Sequence, residues 1–271
     1  MILINGQTQD TLTVLDRGLQ YGDGLFETLA IVDGRPLHWE AHLNRLQQGC
    51  SRLAIPPVDE AALLSEAESL CDGQSRAVLK IIVTRGAGGR GYRAPQPARP
   101  TRILQRHPWP DYPDSVYREG IQVRYCQTTL ACNPALAGIK HLNRLEQVLA
   151  RNEWDDESIH EGLMCNRAGD VIEGTMSNLF MVSGNQLYTP ALDACGVAGI
   201  MRQTVIDWCG EHGLSVSISR IDRDALHQAD EVFLTNSLIG IWPVKCIDKH
   251  TYAIGPLTVQ LVDAMQEMLG G

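Results

Sequence analysis

The 271-residue chain has no apolar run approaching the ~20 residues that span a bilayer, and it offers no membrane helix. It opens on Met1-Ile2-Leu3-Ile4-Asn5-Gly6, without a basic n-region or a long apolar h-region, which argues against a secretory signal. Its eight cysteines, at 50, 71, 126, 132, 165, 195, 209 and 246, are scattered and none forms a C-x-x-C pair. Free thiols in a cytosolic protein are the expectation. Basic residues are outnumbered, 23 Lys+Arg against 32 Asp+Glu, for a net charge of −9. That balance argues against bulk affinity for nucleic acid or an anionic membrane surface. It also requires that any anionic ligand be met by positive groups gathered locally. There is no H-E-x-x-H motif, and His38 and His42, four apart, find no third ligand at a telling spacing. No metal site is expected, and packing or surface roles are assigned to both histidines. No nucleophile elbow is present. Gly86-x-Gly88-Gly89-x-Gly91 lacks the spacing and the following helix of a dinucleotide fingerprint. Internal repeats are absent.

What is present is an ordinary globular composition, 44% hydrophobic and 20% charged, in a chain long enough for two modest cores. Phe26–Val32 is β-prone and ends in Asp33-Gly34, a hairpin turn. Trp39, Leu43, Leu46, Cys50 and Leu53 recur at helical spacing until Ile55-Pro56-Pro57 stops them. A second helix is predicted over 61–70 and strands over 77–84 and 101–104. Pro108-Trp109-Pro110-Asp111-Tyr112-Pro113 sustains neither helix nor central strand. It sets an expected division into an N-terminal α/β domain (1–108), a linker (109–118) and a C-terminal domain (119–271). In the latter, strands are predicted over 121–125, 162–165, 170–173, 178–182, 186–189, 216–219 and 232–235. Helices are predicted over 142–152, 200–212 and 256–269, the first burying Leu142, Leu145 and Leu149. The pattern is α+β and mostly antiparallel.

Five segments carry candidate chemistry. Lys140, in Ala137-Gly138-Ile139-Lys140-His141-Leu142-Asn143-Arg144, stands at a strand-to-helix junction, where partial burial would lower its pKa and favour the amine nucleophile. Taken alone, the signal is weak, and an ordinary surface lysine is the better account of it. Glu173 closes an apolar strand in Val171-Ile172-Glu173-Gly174-Thr175-Met176-Ser177-Asn178. It is read either as a cleft carboxylate or as a solvated strand end. Gly196-Val197-Ala198-Gly199-Ile200-Met201-Arg202 enters a helix with backbone N–H groups suited to a phosphate. Thr235 and Asn236 follow an apolar strand and either complete a phosphate cup or form a plain turn. Arg45 supplies a formal countercharge or is an exposed helical arginine.

Together these segments resemble the fold-type IV pyridoxal 5'-phosphate (PLP) enzymes, which include branched-chain and D-amino-acid aminotransferases and aminodeoxychorismate lyase. The resemblance runs from Asp16-Arg17-Gly18-Leu19-Gln20-Tyr21-Gly22-Asp23-Gly24 to Thr235-Asn236. It implies a smaller N-terminal α/β sandwich, a larger C-terminal domain with a barrel-like sheet, PLP in the interdomain cleft, and a homodimer. Lys140 would be the Schiff-base residue and Glu173 the partner of the pyridine nitrogen. Arg45, the backbone N–H groups of Ile200 and Met201, and Thr235 and Asn236 would bind the phosphate. The stretches 137–144, 199–203 and 84–92 look most like the lyase branch. That branch forms 4-aminobenzoate and pyruvate from 4-amino-4-deoxychorismate, as a step of folate biosynthesis. Transaldimination, proton removal from C4 by Lys140 and loss of the enolpyruvyl group are the implied steps. The aminotransferases usually carry threonine where Met201 stands. Because the implied substrate has two carboxylates, the glycine-rich loop with Arg85, Arg90 and Tyr92 is expected to close over it or line its entrance, with Trp109 on the wall; a solvated hairpin tip is the alternative reading of the same loop. The rival readings are a PLP aminotransferase of branched-chain or D-amino acids and a non-catalytic binding protein on the same fold.

Overall fold

In the computed structural model, which describes residues 1–270, the chain divides into two compact units. The first comprises Met1–Pro110 and Ile139–Asn143, the second Asp111–Gly138 and Arg144–Gly271.

The first unit holds β1 (Ile2–Ile4), β2 (Gln7–Thr8), α1 (Arg17–Tyr21), β3 (Gly24–Val32), β4 (Arg35–Pro36), α2 (Trp39–Arg52), α3 (Glu60–Cys71), β5 (Arg76–Thr84) and β6 (Thr101–Pro108). Its strands form one antiparallel sheet in the order β2-β1-β6-β5-β3-β4. β3 and β5 pair over their whole length, from Gly24↔Thr84 to Val32↔Arg76. The turn at Asp33-Gly34 has positive φ at both residues, 47° and 75°, as a two-residue hairpin demands. α2 lies against β3 through Leu43, Leu46 and Cys50. α3 begins where the Asp59 carboxylate accepts from the Ala62 N–H (3.1 Å) and buries Leu63, Ala67 and Leu70 against the sheet. The result is a two-layer α/β sandwich.

The second unit holds α4 (Ser115–Arg118), β7 (Ile121–Tyr125), α5 (Leu145–Arg151), β8 (Ile159–Cys165), β9 (Val171–Gly174), β10 (Asn178–Ser183), β11 (Gln186–Pro190), α6 (Ile200–Glu211), β12 (Val216–Ser219), α7 (Arg223–His227), β13 (Glu231–Asn236), β14 (Gly240–Ile247), β15 (His250–Thr251) and α8 (Pro256–Met268). Six strands close on themselves in the order β10-β13-β14-β7-β8-β9, with Asn178↔Glu173 as the closing pair. β7 runs parallel to both neighbours, and the other barrel pairings are antiparallel. Ile121, Leu163, Leu179, Leu234 and Val244 form part of one fully buried cluster. Phe180 and Phe233, opposite in register, stack at 5.0 Å. Burying each ring contributes about 2–3 kcal/mol relative to exposure.

Three sequence expectations need correction. Ile139–Asn143, expected in the C-terminal domain with Lys140, belongs to the first unit. Its backbone bonds to the end of β3: Phe26 N–H donates to Lys140 O (2.9 Å) and Leu142 N–H to Gly24 O (3.0 Å). The following helix therefore starts only at Leu145, and Leu145 and Leu149, expected inside, are 76% and 60% exposed. The 109–118 segment is structured, with Tyr112 edge-on to Trp242 and Val116 buried in the second unit's core.

Candidate active site

Lys140 is placed by the short extended segment on β3. Its carbonyl accepts from Phe26, and its half-buried side chain folds so that Nζ stands 4.5 Å from the centroid of the Phe26 ring. An aromatic face at that distance attracts the cationic form of the amine through its ring quadrupole.

In the same unit, β3 points Glu27 at α2. Its carboxylate takes a fork from Arg45, with Nε at 2.8 Å and Nη2 on the other oxygen, and lies 2.6 Å from His42 Nδ1. Glu27 and His42 are each 1% exposed. Burial opposes ionisation of Glu27, but the charge of Arg45 and the hydrogen bonds from His42 and Arg45 more than offset it, so its pKa is lowered. His42 is also pushed down, first by burial, with Glu27 pulling it back and the charges of Arg45 and Lys140 adding to the fall. A neutral His42 bonded to the Glu27 carboxylate carries its proton on Nδ1. Arg45 is thus neither an exposed helical arginine nor an independent cation: its orientation is set by Glu27.

In the second unit, Glu173 sits 4% exposed on β9, and its Oε2 accepts the Val197 N–H at 2.8 Å. Val197 reaches it because Gly196 adopts φ 88°; a Cβ there would lie 2.7 Å from Leu192 and 2.9 Å from Ile172. The Val197 carbonyl in turn accepts from Asn178 Nδ2 (2.9 Å). Arg144 feels this carboxylate. Burial lowers the pKa of its guanidinium, and the charges of Glu173 and then Glu146 partly restore it.

α6 starts at Gly199 without a side-chain cap, so its first N–H groups remain for a ligand or water. Ile200 and Met201 are both buried on this first turn. The other half of the expected phosphate cup is organised differently. Thr235 is fully buried and its hydroxyl donates to Gly240 O (2.6 Å). Asn236 donates through Nδ2 to Met176 O (3.1 Å) and accepts at Oδ1 from Leu238 and Ile239 N–H (2.9 and 3.0 Å). Both side chains shape the β13–β14 turn.

The glycine-rich loop also corrects an expectation. Arg85, read as a substrate ligand, is 7% exposed and bonds Asp23 at both oxygens (2.7 and 3.0 Å) and the carbonyls of Leu53 and Ala54 (both 2.7 Å). Arg17 shares Asp23 (2.8 Å) and reaches the carbonyls of Gly91 and Tyr92. Desolvation alone would raise the pKa of Asp23; the hydrogen bonds from Arg85 and Arg17 reverse this and lower it. Arg85 is a strut of the sandwich, and its four donor contacts explain why it is buried. Arg90 is exposed, Tyr92 is 88% exposed and edge-on to Tyr21, and Trp109 is covered by the Arg76 guanidinium at 4.4 Å.

Sequence reasoning missed Glu27, Asn178 and Glu161. Glu27 and Glu161 are each a lone carboxylate inside a β-prone run, and that interruption was the available signal.

The residues fit PLP in part. A lysine amine against an aromatic ring, a buried carboxylate and an uncapped helix start match an aldehyde, a pyridine nitrogen and a phosphate. The side chains of Thr235 and Asn236 do not add to that fit.

A family model for class IV amino-transferases matches residues 24–247. An aminodeoxychorismate lyase from Vibrio harveyi is 37% identical, over 96% of this chain and 98% of that protein. A D-alanine aminotransferase from Bacillus licheniformis is 30% identical, over 99% of this chain and 96% of that protein. The crystal structure of 4-amino-4-deoxychorismate lyase from Pseudomonas aeruginosa superposes with a TM-score of 0.95 at 47% identity, covering 98% of each chain. With the family model matching residues 24–247 and a relative 37% identical over 96% of its length, the chain belongs to the class IV amino-transferase family.

Proposed function

We propose that this protein is a PLP-dependent lyase that converts 4-amino-4-deoxychorismate to 4-aminobenzoate and pyruvate. The observation that carries the reading is likeness over essentially the full chain to two lyases, at 37% and 47% identity, above the 30% shared with the D-alanine aminotransferase.

Bound PLP supplies an electron sink for negative charge developing on the substrate carbon. Lys140 would hold the cofactor through its amine, and the same amine would serve as general base for the proton on the substrate's C4. Glu173, which accepts the Val197 N–H, would pair with the pyridine nitrogen and keep it protonated. The backbone N–H groups of Ile200 and Met201 would receive the phosphate. Arg45, aimed by Glu27, supplies countercharge, and Thr235 and Asn236 contribute through the turn they shape. Arg90 and Tyr92, exposed on the loop tied down by Arg17, meet the substrate carboxylates, with Trp109 at the wall.

We further place the protein in the cytosol as a homodimer. Leu145, Val148 and Leu149 form an exposed apolar stripe at i, i+3 and i+4 on α5, which a second copy would cover. All eight cysteines are free.

The test is incubation of pure PLP-loaded protein with 4-amino-4-deoxychorismate and no oxo-acid acceptor. Equal amounts of 4-aminobenzoate and pyruvate are expected. Turnover only with an amino acid and a 2-oxo acid would instead identify an aminotransferase.

A further inference from the structure

Glu161 lies in β8 and is 1% exposed. Its carboxylate accepts five hydrogen bonds, all from uncharged donors. Oε1 takes Gly162 N–H (2.8 Å), Thr175 N–H (3.1 Å) and Thr175 Oγ1 (2.5 Å); Oε2 takes Met176 N–H (3.2 Å) and Ser177 Oγ (2.9 Å). Four of the five come from three consecutive residues, 175–177, the turn that joins β9 to β10. The approach is close enough that a Cβ on Gly174 would stand 2.8 Å from Oε2. Convergent N–H and O–H dipoles of this kind can hold a buried carboxylate without a facing cation.

The turn is the piece of chain between Glu173 and Asn178. Gly174 N–H closes it onto Ser177 O (2.7 Å), and the two flanking residues form the pair that closes the barrel. From Asn178 the network runs through Nδ2 to Val197 O, and from Val197 N–H back to Glu173 Oε2. Glu161 therefore anchors one side of a loop of contacts whose other side fixes the Glu173 carboxylate. The Leu163↔Gly174 pairing, the Thr175 N–H on Gly162 O (3.0 Å) and Asn236 Nδ2 on Met176 O (3.1 Å) hold the backbone of this turn from outside. The donors that converge on Glu161 from residues 175–177 gather its inner face on one side chain.

We infer that Glu161 is a positioning residue for Glu173: by holding the 174–177 turn, it sets where the acid that pairs with the cofactor's pyridine nitrogen stands. The inference rests on the reading of Glu173 in that role. Substituting Glu161 by glutamine keeps the size of the side chain but replaces one acceptor oxygen with an NH₂ group facing donors. The turn must then shift, and Glu173 with it.

The experiment compares the holoenzyme with Glu161→Gln and with the double variant Thr175→Val/Ser177→Ala. The double variant removes two hydroxyl donors and keeps the carboxylate. Three quantities are read: thermal midpoint, PLP dissociation constant on dilution, and the pH midpoint of the bound cofactor's visible absorption. Glu161→Gln is expected to weaken PLP binding about tenfold, the scale seen when an orienting partner of a bound group is removed. The absorption midpoint is expected to shift in both variants. Should Glu161→Gln fail to fold, the double variant alone decides. A lowered thermal midpoint with PLP affinity and absorption midpoint both at the wild-type values would overturn the inference and leave Glu161 a purely structural acid. Failure of the unmodified protein to bind PLP would overturn the functional reading, and this inference with it. Wild-type binding with unperturbed variants overturns the inference alone.

Discussion

Glu173 receives the Val197 N–H at 2.8 Å, so the backbone after Gly196 helps to orient its carboxylate. Glu173→Gln preserves the shape and removes the charge that, under the proposed function, keeps a proton on the pyridine nitrogen. Activity is expected to fall on the order of 10²-fold or more, in kcat, with little change in thermal midpoint. A variant with wild-type kcat would remove Glu173 from the chemistry.

Stability should fall on mild acidification. His42, His38 and His160 all have lowered pKa values in the folded protein, chiefly through burial, against an ordinary value of 6.5. The unfolded chain then binds more protons than the folded one, so their contribution is complete above pH 6.5 and is lost as pH falls toward the lowered folded values. Glu27, also lowered, adds a second loss below its ordinary 4.5. Thermal midpoints measured across this range are expected to decline from about pH 6.5 downward, the histidine pKa that sets the window. His42→Gln should flatten the upper part of the decline. A midpoint that rises on acidification would contradict the sign.

Arg85 and Arg90 should separate cleanly. Arg85→Met leaves the Leu53 and Ala54 carbonyls without their donor and Asp23 with Arg17 alone. A loss of about 3 kcal/mol in urea unfolding is expected. Arg90→Ala, at an exposed position, should leave the unfolding midpoint unchanged and raise KM. An Arg85→Met variant of full stability would dismiss the strut.

Thiol accessibility follows burial. Cys50, Cys71 and Cys209 are pushed up to about 11, and Cys126 and Cys195 to about 12, first by burial in each case. Cys132 is exposed and Cys246 partly so. An aromatic disulfide reagent at pH 8 should label Cys132 first in the native protein and all eight thiols after denaturation. Fast native labelling of Cys209 would contradict the packing around α6.

Where residues act locally, the structure was legible in the sequence. The Asp33-Gly34 hairpin, the helices α2, α3, α6 and α8, and the strand pairs around 166–169 and 183–185 are set by periodicity and turn chemistry. β14 was not legible, because Pro243 argues against a central strand. It is accommodated because the ladder to β7 begins at Val244↔Ile121, so the missing N–H falls outside it. Residues 139–143 read as the approach to a helix because nothing local shows that β3 will offer Gly24 O and the Phe26 N–H. The same holds for the site. Lys140 and Glu173 stand out by type and context. The engagement of Arg85 with Asp23 and of Arg45 with Glu27 depends on partners distant in sequence.

Reduction of the PLP-loaded protein with borohydride, followed by peptide mapping, asks most directly whether the amine at position 140 captures the cofactor. A pyridoxyl label on the peptide containing Lys140, absent from Lys140→Ala, is the expected result. A label on Lys80, Lys245 or Lys249 instead, or no label at all, would contradict it.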